Sequence, residues 1–140
     1  GIFGTAKEMF GAELEDKPIA AVAYIDYRGG NHPDIGELMA TVRNPEIPFQ
    51  MSQLIAYSRK QLKDKYDLLI TFYQAANSRG VQCQGDHWKF HGTIIHMNID
   101  NLIPMPCGMH LYWIPLNDKG LEKANSLGLE ANPYPKYGIA

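Results

Sequence analysis

The stretch Asp67-Leu68-Leu69-Ile70-Thr71-Phe72-Tyr73 decides the reading of this chain, set between an amphipathic run that starts at Met51 and a polar crossover that ends in Trp88-Lys89-Phe90-His91-Gly92. Leu68 to Phe72 is apolar without alternation, the pattern of a strand covered on both faces and therefore central in its sheet. Upstream, Met51, Leu54, Ile55, Ser58 and Leu62 recur at helical spacing. Arg59, Lys60, Lys63 and Lys65 fall on other faces or at the C-terminal end, where cations suit the helix dipole. The order is strand, long helix, central strand, short crossover, strand.

Working outward, Met9 to Leu14 and Ile19 to Ile25 flank the charged turn Glu15-Asp16-Lys17-Pro18 and predict an antiparallel hairpin. Arg28-Gly29-Gly30-Asn31-His32-Pro33 predicts a loop and Gly36 to Val42 a third strand, after which Pro45 and Pro48 break the chain ahead of the helix. Beyond the central strand, Ala75 to Gln84 reads as loop with a short helix, and Trp88 to Met97 as strand. Asp100 to Gly108, with two prolines, reads as loop; Met109 to Ile114 as strand; Leu121 to Leu127 as a short helix that Gly128 ends. The expected fold class is α/β (α+β): a mixed, mainly antiparallel sheet with flanking helices and a central parallel pair that splays apart past Val42 and Phe72.

The chain has 13 Lys and Arg against 15 Asp and Glu, a formal charge of −2. That excludes the global basic field of a strong nucleic-acid binder and leaves only local contacts to DNA. With 45% apolar residues, its 140 positions make one domain, 1–140, with no room for a second. Cys83 and Cys107 form no C-x-x-C pair and are too few for a disulfide framework, which suits a reducing compartment. No apolar run approaches the roughly 20 residues of a membrane helix, and the first residues lack a signal-peptide pattern. A cytoplasmic protein without a membrane partner is the expectation; oligomeric state is not legible.

Candidate chemistry gathers at three places. The segment Arg43-Asn44-Pro45-Glu46-Ile47-Pro48-Phe49-Gln50 brings backbone N–H groups and the positive end of a helix dipole to an anion, which makes Val42, Arg43, Asn44, Gln50 and Ser52 a candidate binding set. The competing reading is an ordinary strand-to-helix turn with Gln50 near the N-cap. Tyr73 ends the central strand, where its phenol either protonates a leaving group or closes the core edge. Cys83 is a nucleophile only if its pKa is lowered, and is otherwise a quiet buried thiol. Third, Arg79 and Lys89 bracket the crossover and Lys136 follows at the tail, while Trp88 and Phe90 offer a stacking surface for an extruded base unless Trp88 is core. His87, His91 and His96 match no usual zinc spacing, so no metal is assigned.

The segment from Leu68 to Gly92 resembles the Mom family of phage DNA-modifying proteins, GNAT-like acyltransferases. In that family a strand ending Ser-Tyr/Phe-Ala-Asp leads to a Gly-His-x-Gly-x-Ile-Tyr-Gln-Ala-x-Asn-Trp-x-Tyr-x-Gly crossover. The corresponding residues are Thr71-Phe72-Tyr73-Gln74, Ser78-Arg79-Gly80 and Cys83-Gln84-Gly85-Asp86-His87-Trp88-Lys89-Phe90-His91-Gly92. Ser52-Gln53-Leu54-Ile55 is similar to the family's opening of the long helix, and Pro133-Tyr134-Pro135-Lys136 reproduces its closing Pro-Tyr-Pro-Lys. The resemblance implies a GNAT fold, acetyl-CoA or a related acyl-CoA as donor, and adenine amino groups of DNA as acceptor.

It also exposes departures. Gln74 stands where the family has Asp, Ser78 where it has His and Cys83 where it has Tyr; a glutamine orients an amine or carbonyl but takes no proton at neutral pH. The usual acetyltransferase loop is Arg/Gln-x-x-Gly-x-Gly/Ala, yet no glycine lies between Gly36 and Gly80. GNAT-like folds normally begin with a strand and one or two helices ahead of the hairpin, and these are expected to be lacking here. Three readings stand: a Mom-like acyltransferase with Tyr73, Gln74 and Cys83 at its catalytic centre, an N-acetyltransferase for a small-molecule or protein amine, and an inactive GNAT-fold binding module.

Overall fold

The computed structural model describes residues 2–4, 8–29, 31–96 and 104–136. Its elements are β1 (Ile2–Gly4), β2 (Met9–Leu14), β3 (Lys17–Asp26), β4 (Ile35–Arg43), α1 (Met51–Gln61), β5 (Leu68–Gln74), α2 (Val81–Gly85), β6 (Lys89–His96), β7 (Pro104–Pro115) and α3 (Asp118–Ser126). The strands form one seven-stranded sheet in the order β1-β2-β3-β4-β5-β7-β6, antiparallel except for the β4–β5 pair. The apolar run at Leu68 therefore sits inside the sheet, as its pattern requires.

The hairpin turn is tighter than expected. Glu15 and Asp16 both adopt left-handed φ, 51° and 64°, the geometry of a two-residue turn whose twist matches its strands, so β3 begins at Lys17. A strand, β1, precedes the hairpin and pairs antiparallel with β2, with four residues between them. The larger difference is β7, which begins at Pro104 rather than Met109. β5 pairs with β7 only from Pro115 to Met109, and past the Ala75 N–H bond to the Gly108 carbonyl no β5 partner is paired with residues 104–107. Proline is tolerated there because no ladder donor is required of it. Residues 97–103, which hold part of the expected loop, lie outside the described residues.

Two cores form on the two sheet faces. On one, α1 buries Met51, Leu54, Ile55 and Ser58 against Phe10, Val22, Tyr24, Leu38 and Leu69, joined by Trp88 and Tyr112. Ser58 fits this apolar stripe because its hydroxyl meets Tyr24 Oη at 2.6 Å. On the other face Ile35, Leu68, Ile70, Leu111 and Trp113 pack with Ala124 and Leu129 from α3 and the turn after it. Asn117 caps α3 by accepting the Gly120 N–H at 2.9 Å, and Gly128, at φ 74°, ends the helix as the sequence predicts. Gly120 has a packing reason: a Cβ there would lie 1.7 Å from the Asp67 carbonyl oxygen. Among the described residues no helix is long and apolar enough to cross a membrane.

One irregularity positions everything that follows. The parallel ladder runs Ile35–Leu68, Gly36–Leu69, Glu37–Ile70 and Leu38–Thr71, and stops there. On the opposite side of β4, Tyr24 pairs with Leu38 but Ala23 with Ala40, so Met39 is an extra residue. Such a bulge bends the strand carrying it and increases its twist. β4 and β5 therefore part at Leu38 and Thr71, earlier than the expected points past Val42 and Phe72.

Candidate functional site

The parted strand ends enclose a cleft of about 460 Å³. Leu38 and Thr71 make its floor, Met39 to Val42 one wall, Phe72 to Gln74 the other, and Asn77, Arg79 and Met109 its rim. From Thr41 and Arg79 the cleft continues into a second depression of about 460 Å³ bordered by Arg43, Met51, Ser78 and Gln82. A third of about 510 Å³ reaches Phe49, Gln50, Ser52 and Gly85 at the start of α1. These depressions share lining residues, so one groove runs from between the splayed strands to the helix N-terminus.

The helix end is built to meet negative charge. Gln50 is its N-cap but its side chain caps nothing, and no acidic residue lies in the first turn. Met51 and Ser52 bring the first turn and its positive dipole end to the groove without a competing carboxylate, while the Gln53 N–H is taken by the Gln50 carbonyl at 3.0 Å. Arg43 braces the loop by donating from Nη1 to the Phe49 carbonyl at 3.1 Å. Arg79 is held in an Asx turn, its backbone N–H donating to Asn77 Oδ1 at 3.0 Å, and lines both the cleft and the second depression. Across the groove, Thr41 Oγ1 donates to Gln82 Oε1 at 3.1 Å and ties the free end of β4 to α2.

The sequence-predicted residues divide accordingly. Val42, Arg43, Gln50, Ser52, Tyr73, Gln74 and Arg79 all line the groove. Asn44 does not: its side chain accepts the Glu46 N–H at 3.0 Å in the turn itself. Cys83 lies outside the lining, fully buried, with Tyr73 Oη 3.7 Å from its sulfur. Burial pushes its thiol well above the usual range, outweighing the Tyr73 hydrogen bond and favouring the protonated form. Burial, with the neighbouring Cys83 adding to it, also raises Tyr73 far above a normal phenol, while the Arg79 charge pulls weakly the other way. Tyr73 therefore holds its proton more tightly than a solvated phenol.

The residues expected to touch nucleic acid do not converge. Trp88 is fully buried and donates its indole N–H to Asp86 Oδ2 at 2.8 Å, so it offers no stacking face, and Phe90 is buried as well. Lys89 lies over the Trp113 ring, its Nζ 5.9 Å from the centroid, and Lys136 is exposed on the tail. Of the four expected contacts only Arg79 borders the cleft.

Sequence reasoning missed three features. Thr41 and Gln82 shape the waist of the groove, and a Thr pointing inward from a strand carries no signal by itself. Glu37 is a carboxylate only 2% exposed, in the last parallel rung but one, held by the Arg28 guanidinium at 2.7 and 3.3 Å. Asp86 accepts both Arg59 Nε and Nη2 at 2.8 Å besides the Trp88 indole, clamping the turn after α2 onto α1.

An antiparallel sheet interrupted by one splayed parallel pair, with a groove leading from the splay to a helix start, is the architecture of the GNAT acetyltransferases. The chain superposes on the ribosomal-protein-alanine N-acetyltransferase of Brucella melitensis with a TM-score of 0.61 at 14% identity, over 76% of this chain and 67% of that one. A GNAT-family acetyltransferase of Streptococcus pneumoniae gives 0.61 at 16% identity over 80% and 70%. A Bacillus subtilis acetyltransferase in complex with CoA gives 0.60 at 12% identity over 78% and 76%. No protein-family model and no curated protein sequence matches the chain.

Proposed function

We propose that the protein is an acyl-CoA-dependent N-acyltransferase. The observation that carries this is the end of β4–β5 pairing at Leu38 and Thr71, from which a continuous groove runs to the uncapped start of α1. In transfer the amine nitrogen bonds to the acyl carbon and loses a proton, while the carbon–sulfur bond breaks and its electron pair leaves on sulfur, which is then protonated. An acyl-CoA supplies the activated thioester for this exchange. The residues that would hold it are Arg43 and Arg79 by charge, Gln50 and Ser52 at the helix start, and the Val42 wall of β4. Tyr73 contributes a hydrogen bond toward the departing sulfur, and Gln74 orients the acceptor through its carboxamide. The resemblance in fold to a CoA-bound acetyltransferase supports the donor class.

The acceptor is proposed to be an amine of a small molecule or protein; the Brucella melitensis structure of the same fold is named for a ribosomal-protein alanine. The Mom-like alternative, an adenine amino group in DNA, is favoured by two observations. Among the twelve residues lining the cleft there is no carboxylate to attract a cationic amine, whereas Gln74 and Asn77 present carboxamides of the kind that pair with adenine edges. The two resembling segments also touch: Tyr134 of Pro133-Tyr134-Pro135-Lys136 donates its hydroxyl to the Trp88 carbonyl. Titration calorimetry with CoA tests the donor, with micromolar binding weakened about tenfold by Arg79→Ala expected from loss of one charge-assisted contact. Absence of CoA binding leaves only the inactive-module reading. Mass analysis of nucleosides from DNA co-expressed with the protein then separates adenine from other amines.

A further inference from the structure

The floor of the cleft holds a hydrogen bond that the transfer reading leaves unused. At the last parallel rung Thr71 Oγ1 donates to the Leu38 carbonyl oxygen at 2.8 Å. Both residues line the cleft and both are nearly sealed, Leu38 at 4% and Thr71 at 2% exposure. The very next residue on β4 is the bulge Met39, beyond which the strands no longer pair. A side chain thus closes the rung where the ladder gives out.

This bond matters for chemistry because of its sign. When a nucleophile attacks a carbonyl, negative charge grows on the carbonyl oxygen, and a site accelerates the step by aiming donors at that charge. A backbone carbonyl left uncommitted in the same confined space opposes it, and low local polarity enlarges the effect. Resting on the acyltransferase reading, we propose that Thr71 is a positioning residue for the transfer: its hydroxyl holds the Leu38 carbonyl, fixing the point of strand parting and keeping that oxygen from facing the reacting carbonyl. The bonds made and broken are those of the transfer itself, N–C formed and C–S cleaved; Thr71 exchanges no proton with either substrate. A β-branched residue filling space at this position is the competing explanation, and Val would serve it equally well.

Thr71→Val, Thr71→Ala and Thr71→Ser separate the two. The readouts are the CoA dissociation constant by calorimetry, the thermal midpoint, and release of CoA thiol from acetyl-CoA with hydroxylamine as a small neutral acceptor. Thr71→Val and Thr71→Ala are expected to lower kcat about tenfold to a hundredfold, less than direct loss of an oxyanion donor, with CoA affinity within twofold of wild type. Thr71→Ser is expected to stay within threefold of the wild-type kcat. If Thr71→Val does not fold, Thr71→Ala against Thr71→Ser gives the same comparison. Wild-type kcat in Thr71→Val or Thr71→Ala, a Thr71→Ser as slow as those two, or a parallel fall in CoA affinity overturns the proposal. A wild-type protein that neither binds CoA nor releases it from acetyl-CoA overturns the acyltransferase reading instead, and the role of Thr71 with it; one that binds CoA but transfers nothing overturns the role while leaving CoA binding in place.

Discussion

Replacing Asp86 by Ala tests whether the groove's outer wall depends on one buried carboxylate. Asp86 is 4% exposed at its side chain and accepts three hydrogen bonds of 2.8 Å, two from Arg59 and one from the Trp88 indole. Deleting it leaves a fully buried indole N–H without an acceptor, which costs about 1–3 kcal/mol. It also strands the Arg59 guanidinium; breaking a buried pair costs about 3–5 kcal/mol, but water takes over part of that loss here. Arg59 keeps a quarter of its side-chain surface exposed, which puts its share nearer 2 kcal/mol. The total is about 4 kcal/mol, or a fall in Tm of roughly 10 °C for a domain of this size. Asp86→Asn keeps an acceptor for the indole and gives up only the charge, so it should cost about 1–2 kcal/mol. Urea denaturation of wild type, Asp86→Ala, Asp86→Asn and Arg59→Met gives the ranking directly. Asp86→Ala within 1 kcal/mol of wild type, or Asp86→Asn as damaging as Asp86→Ala, refutes the reasoning, because the indole would then not depend on this acceptor.

Other outcomes follow from single residues. Gly120→Ala places a Cβ 1.7 Å from a backbone oxygen and should cost roughly 3 kcal/mol or more by displacing α3; a Tm within 2 °C of wild type contradicts that packing. In the native protein iodoacetamide should modify exposed Cys107 and leave buried Cys83 untouched until denaturant is added, a result read by intact mass; early loss of both thiols contradicts the assigned burial. His91 accepts the Glu130 N–H through Nδ1, and burial lowers its pKa. Because the folded state then binds the proton less readily than the unfolded chain, its contribution is complete above about pH 6.5 and drains away as pH falls toward the lowered value. Melting between pH 5 and 8 should show stability falling on the acid side, with a shallower fall in His91→Gln. An unchanged slope in the variant rules out His91 as a source.

The central strand, the hairpin, the α1 stripe and the Gly128 stop were legible because each is a local pattern with a local cause: an unbroken apolar run, a charged turn, helical spacing, a left-handed φ. The groove was legible as a topological consequence, which is why Arg43, Gln50, Tyr73 and Arg79 fall on it. What escaped depended on distant partners. The bulge at Met39 exists only in the register between β3 and β4, so the parting point could not be read from Val42 or Phe72. Trp88 became core because Asp86 satisfies its N–H, and Cys83 became core because it packs in the same buried cluster as Tyr73. The β7 start at Pro104 follows from its pairing with β6, where His96 meets Pro104, a fact about a different strand. Side-chain chemistry at the site was therefore less visible than its location.

The segment at Asn132 has a consequence for solubility. β6 lies at one margin of the sheet, where an unpaired strand would template another chain. Asn132 bridges Phe90 with its backbone N–H at 2.8 Å from the Phe90 carbonyl, and its side-chain amide donates to the His91 carbonyl at 2.6 Å. Two backbone acceptors of the margin are thereby spent on the molecule's own tail. Cutting the chain before Asn132 would reopen that margin to strand exchange, so such a fragment should form fibrils or precipitate at concentrations where the intact protein stays dispersed.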